Sequence, residues 1–162
     1  SDGAEVDGFA QFGDDTNIGV PDTTYFTVGN SNTSNANSKK IINYLFHSVE
    51  GYSRVGFYNG NNDADGPFVY TGFSPAYVLI KNTTQSGDHW VTFDNKRDAF
   101  NEMDEYLLAS TTGAANTYNG VEMDFLSNGF KPRGVDDGIN DDGDKYIYLA
   151  IAETPFKYAN GR

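Results

Sequence analysis

Short stretches of β-branched and aromatic residues recur along this chain, and a tight-turn sequence closes off nearly every one. Tyr52–Tyr58, Phe68–Phe73, Tyr77–Lys81, His89–Asp94, Val121–Leu126 and Tyr146–Glu153 share this composition, which suits a pleated, half-buried surface. Between them stand Asn59-Gly60, Asp65-Gly66-Pro67, Ser86-Gly87-Asp88, Asn128-Gly129 and Asp142-Gly143. Their residues enter left-handed or proline-fixed backbone at little cost. In Ile41–Glu50, one face would carry Ile41, Asn43, Leu45, His47 and Val49, and the other Ile42, Tyr44, Phe46, Ser48 and Glu50. Both faces are partly apolar, as in a central sandwich strand. At most one short helix is expected, over Asp98–Ala109, with Asp98 as its cap and Phe100, Met103 and Leu107 along one stripe. The pattern predicts an all-β chain, an antiparallel β-sandwich or jelly-roll-like fold.

A chain of 162 residues fits one domain and can bury a core without covalent staples. The Gly/Asp-rich first stretch reads as an arm or edge strand over residues 1–25, and residues 26–162 as a single β-sandwich domain. Asn30–Lys40, nearly all Asn, Ser, Thr and Ala, reads as an exposed loop. With Ser1 in first place, the chain reads as processed or cut from something longer. The net charge of −12 argues against nucleic acid and against an anionic membrane, since both need a basic surface. No run is long and apolar enough to suggest membrane insertion. The lack of cysteine removes disulfides, thiolate zinc and a thiol nucleophile.

Two acidic loops are candidate calcium ligands. Asn61, Asp63 and Asp65, followed by Gly66, match the first half of an EF-hand loop. The bidentate Glu such a loop needs is replaced by Gly72, which excludes the EF-hand and leaves a looser oxygen cage or a polar turn. Asp137 and Asp141 lie in the second run, Asp136–Asp144, which also reads as a solvated loop. No cofactor beyond calcium is expected. For acid–base chemistry Asp94 and Asp98 flank Lys96 and Arg97, although Asp94 in that setting suits a structural ion pair at a strand end. His47 is expected in the core or an interface, and His89 at a more exposed junction; no nucleophile elbow lies near either. No catalytic residue is expected. Asn32 and Asn82 head glycosylation sequons.

Aromatic residues are the most suggestive class. One tryptophan, 11 tyrosines and 12 phenylalanines exceed what a small core absorbs. Some should lie on a surface, where rings stack on sugars or on neighbouring subunits. Trp90, Tyr52, Tyr58, Tyr70 and Tyr118 are the candidate ligand-binding residues, with core and cross-strand packing as the competing reading.

From Asn43 onward the chain resembles a domain common in virion proteins of marine tailed phages. There it lies near the C-terminus of tail-fibre-like chains, often behind a concanavalin A-like lectin domain. The resemblance runs through Tyr44–Ser53, Asp65–Phe73, Pro75–Lys81, Trp90, Phe93–Asp98, Asp124–Lys131 and Tyr146–Phe156, in the expected order. It implies a non-catalytic structural or attachment role at the virion surface, outside the cell. Partners would be other copies of the chain or other virion proteins, together with host-surface glycans. It carries over no catalytic residue. Three readings therefore stand: a virion structural and attachment domain, a glycan-binding lectin-like module, and a polysaccharide depolymerase using Asp94 or Asp98.

Overall fold

The computed structural model describes residues 37–155. The described residues fall into two compact units, residues 37–45 and residues 46–155. The expected arm, residues 1–25, and the Asn32 sequon lie outside the described residues. All the strands below belong to the second unit.

In chain order they are β1 (Ser53–Asn59), β2 (Val69–Tyr70), β3 (Pro75–Asn82), β4 (Val91–Asp94), β5 (Leu107–Leu108), β6 (Met123–Leu126), β7 (Gly129–Pro132) and β8 (Lys145–Ala152). No helix occurs among the described residues, and every strand pair is antiparallel. One sheet has the order β1-β8-β3-β4-β5 and the other β2-β7-β6. The fold is all-β and sandwich-like, as the turn-bounded pattern predicts.

Alternation explains the core. Along β8, Tyr146, Tyr148, Ala150 and Ala152 point one way, and along β3 so do Val78 and Ile80. They meet Phe130 of β7 and Met123 of β6 in one buried cluster that also takes Tyr58, Val91, Phe93 and Ile139. Rings dominate its centre. Tyr58 stacks on Tyr146 with centroids 5.0 Å apart, and Phe130 meets Tyr148 edge-on at 5.1 Å. Such pairs add to area burial.

Two expected elements are absent. Over Asp98–Ala109 there is no helix. The Asp98 carboxylate accepts from the backbone N–H groups of Phe100 and Asp104 and so holds an irregular loop. Met103 then bridges Met123, Tyr106 bridges Asn116, and Leu107–Leu108 pair with β4. Buried Met103 and Tyr106 reach the core from extended backbone, whereas Phe100 stays exposed. Sheet pairing has overridden a short helical pattern. Ile41–Glu50 is likewise no strand. Only Val49 pairs, with Ser53 across a turn that places Gly51 at φ 69°. Beyond it, the Ser48 hydroxyl rather than its backbone meets the N–H and carbonyl of Val55, so the ladder stops. His47, expected in the core or an interface, lies outside this core and is exposed on the chain.

Candidate functional site

β1 closes one edge of the larger sheet and β2 one edge of the smaller. Between these edges lies a cleft of about 330 Å³, lined by Arg54–Tyr58, Phe68–Tyr70 and Tyr148. Side-chain alternation puts Arg54, Gly56 and Tyr58 on one row of β1, opposite Ala150, Tyr148 and Tyr146. Tyr58 belongs to the core, and its hydroxyl donates to the Ile139 carbonyl at 2.6 Å. Gly56 leaves space for its partner: a Cβ there would stand 2.9 Å from the Tyr148 hydroxyl oxygen. The tyrosine ring covers that glycine and forms the cleft floor. Burial pushes the Tyr148 phenol up, while a hydrogen bond and the charge of neighbouring Arg54 pull it back. On the opposite rim Val69 turns into the core, leaving Phe68 and Tyr70 48% and 59% exposed.

The arginine is distinguished by what it lacks. Arg97 stands 3.3 Å from Asp94, and Arg133 reaches Asp65, Glu102 and Asp124 at 3.4–3.6 Å. Arg54 forms no ion pair among the described residues, in a chain with 23 acidic side chains. Among the described residues it is also the only charged one lining the cleft.

The other expected ligand-binding residues do not gather here. Of the five, only Tyr58 and Tyr70 line the cleft, and Tyr58 does so as a core residue rather than an exposed platform. Trp90 is half-buried just before β4, with its carbonyl accepting from Ala109. Tyr52 sits in the turn before β1, and Tyr118 is exposed in the loop before β6. Arg54, Phe68 and Tyr148 were missed. The one available signal was an arginine on a strand row whose next members are Gly56 and Tyr58.

The acidic loops are engaged internally. Asn61 accepts from the N–H of Asp63, Asp63 accepts from that of Asp65, and Asp65 pairs with Lys131 and Arg133. Asp141 and Asp144 both accept from the Gln85 amide, while the Asp137 side chain points to solvent and its carbonyl takes Asn82 and Tyr146. No group of three or more acidic or histidine side chains converges among the described residues. Beneath these loops the fully buried Asn140 accepts from Asn61 N–H and donates to the carbonyls of Asp63 and Gly134. Asn82, the second sequon, is fully buried with its amide nitrogen donating to Asp137 and Asp144, so no glycan can be attached to the folded chain there.

Neither carboxylate of the depolymerase reading is free. Asp94 accepts the backbone N–H groups of Lys96 and Arg97 and pairs with the Arg97 guanidinium, as the ion-pair reading anticipates. Asp98 holds its loop as described. The pair closest to a tuned couple is Asp124 with Glu102, both on Arg133; burial pushes the Asp124 carboxyl up, Arg133 opposes, and Glu102 adds to the rise. Neither lines the cleft.

A family model described as a domain of unknown function (DUF7483) matches residues 4–155. The chain belongs to that family. No curated protein and no solved structure matches it. The DUF7483 match spans both sheets, so the strands that build the cleft all lie inside the family domain.

Proposed function

We propose that this DUF7483 domain is a non-catalytic attachment domain of a virion surface protein, a tail fibre or a surface decoration, and that its cleft holds host-surface glycan. The observation that carries the glycan contact is the pairing of two exposed rings, Phe68 and Tyr70, with the Arg54 and Tyr148 polar heads along one open cleft. Flat rings left in water gain by stacking on the apolar face of a sugar, while a few polar groups fix its orientation. The virion placement rests on the resemblance carried from Tyr44–Ser53 to Tyr146–Phe156. The exposed cross-strand pair Phe57 and Ile147 supports packing against other copies or other virion proteins. Against a depolymerase stands the lining itself. Glycoside hydrolysis uses two carboxyl groups flanking the bond, and among the described residues none lines this cleft.

The test is a glycan array probed with wild type and with Phe68→Ala/Tyr70→Ala, repeated in EDTA. The expected result is binding by wild type, lost in the double variant and unchanged by EDTA, with no shortened oligosaccharides released. Binding that survives the double variant would remove the cleft from the reading, and released fragments would return the enzyme.

A further inference from the structure

We infer that the ligand of this cleft is an anionic glycan, whose acidic group sits on Arg54. The inference rests on the glycan reading above and narrows it to a substrate class. The other arginines among the described residues are neutralised: Arg97 by one carboxylate and Arg133 by three. A chain with 23 acidic and 11 basic residues has ample means to do the same for Arg54, and among the described residues it does not. Beside it instead stands Tyr148, the other polar head lining the cleft, whose phenol feels the Arg54 charge. A guanidinium carries five N–H donors in a rigid fork, and one phenol oxygen leaves most of them for a ligand. That fork matches two oxygens of a carboxylate or sulfate.

The chain's charge of −12 opposes a polyanion at long range. At physiological salt the screening length is about 8 Å, so distant carboxylates count for little once the ligand is seated. Contact with Arg54 decides. The nine lining residues include no acid that would repel the incoming group. A uronate or a sulfate ester on a sugar ring then places its charge on the guanidinium and its ring by Phe68 and Tyr70.

The experiment titrates the protein with three oligosaccharides, followed by NMR of the Arg54 side-chain N–H and the Tyr148 amide: an oligogalacturonate, its fully methyl-esterified form, and a sulfated galactan fragment. The acid should bind at least about tenfold more tightly than the ester, as one charge-assisted bidentate contact requires. Arg54→Gln, with melting unchanged, should bring the acid down to the ester's affinity, and Arg54→Lys should restore part of the preference. Tight binding of the sulfated fragment alone supports the inference with sulfate as the source of charge. Equal binding of acid and ester, or a preference that survives Arg54→Gln, overturns it. In either of those cases binding that still depends on Tyr70 leaves the glycan reading standing. If none of the three binds, both fall.

Discussion

Two parts of this molecule concentrate polar and aromatic groups, and they differ in whether those groups are already satisfied. Under the acidic loops, Asn82, Asn140, Asp144 and Tyr146 are buried, and their hydrogen-bonding groups close on one another or on loop backbone. At the edge of β1 and β2, Arg54 and Tyr70 stand open to solvent, the first with no ion pair and the second with an uncovered ring. Density of chemical groups is the same signal in both places. Only the second has capacity left for another molecule.

That contrast is open to attack by mutation, and the largest effect belongs to the loops. Asn140→Ala removes three hydrogen bonds at once, with the Asn61 N–H and the carbonyls of Asp63 and Gly134, the last of them buried. Each orphan costs about 1–3 kcal/mol, so a loss of about 3 kcal/mol or more is expected by chemical denaturation. The remaining folded protein should bind glycan as wild type does; altered affinity there would blur the division. Next comes Gly56→Ala, which drives a methyl group against the Tyr148 ring. Overpacking of this kind costs about 1–3 kcal/mol, and here it should also displace the cleft floor and weaken binding. An effect on both readouts marks the one residue shared by core and cleft.

Tyr70→Ala should do the reverse of Asn140→Ala. Its ring is 59% exposed, so melting should barely move, while glycan affinity falls about tenfold by calorimetry. A large drop in melting temperature would show the ring to be structural.

The smallest effect is one of pH. Burial pushes the carboxyls of Asp88 and Asp124 up, with neighbouring Lys81 and Arg133 respectively opposing the rise. The folded state therefore holds these protons to higher pH than the unfolded chain. Stability contributed by the protonated forms is full below the ordinary aspartate value and is lost as pH rises through the folded one. Melting temperature should decline slightly as pH rises above the ordinary aspartate value on this account. Asp88→Asn should flatten the decline without touching affinity, since Asp88 does not line the cleft.

Sequence revealed the larger sheet better than the smaller. β1, β3 and β8 were legible because they are long and rich in β-branched and aromatic residues, and β8 keeps one row, Tyr146 to Ala152, wholly buried. β7 reads Gly-Phe-Lys-Pro and was not seen, since its first residue serves the approach of another backbone: a Cβ on Gly129 would lie 2.2 Å from the Val69 carbonyl oxygen. The Asp98–Ala109 pattern misled because its apolar residues pair one by one with separate strands. Of the cleft, Tyr70 was legible as an aromatic beside turns. Arg54 was not, because its significance lies in a missing partner, and spacing along a chain cannot show which of 23 acids stays away.

The clip formed by Ser48 on Val55 has a consequence for crowding. An open strand edge is a template on which another chain can crystallise its own backbone. With Val49 pairing Ser53 and the Ser48 hydroxyl stoppering Val55, β1 offers only the short stretch from Phe57 to Asn59. Copies brought side by side can thus touch through side chains without zipping their β1 edges into a continuous ribbon.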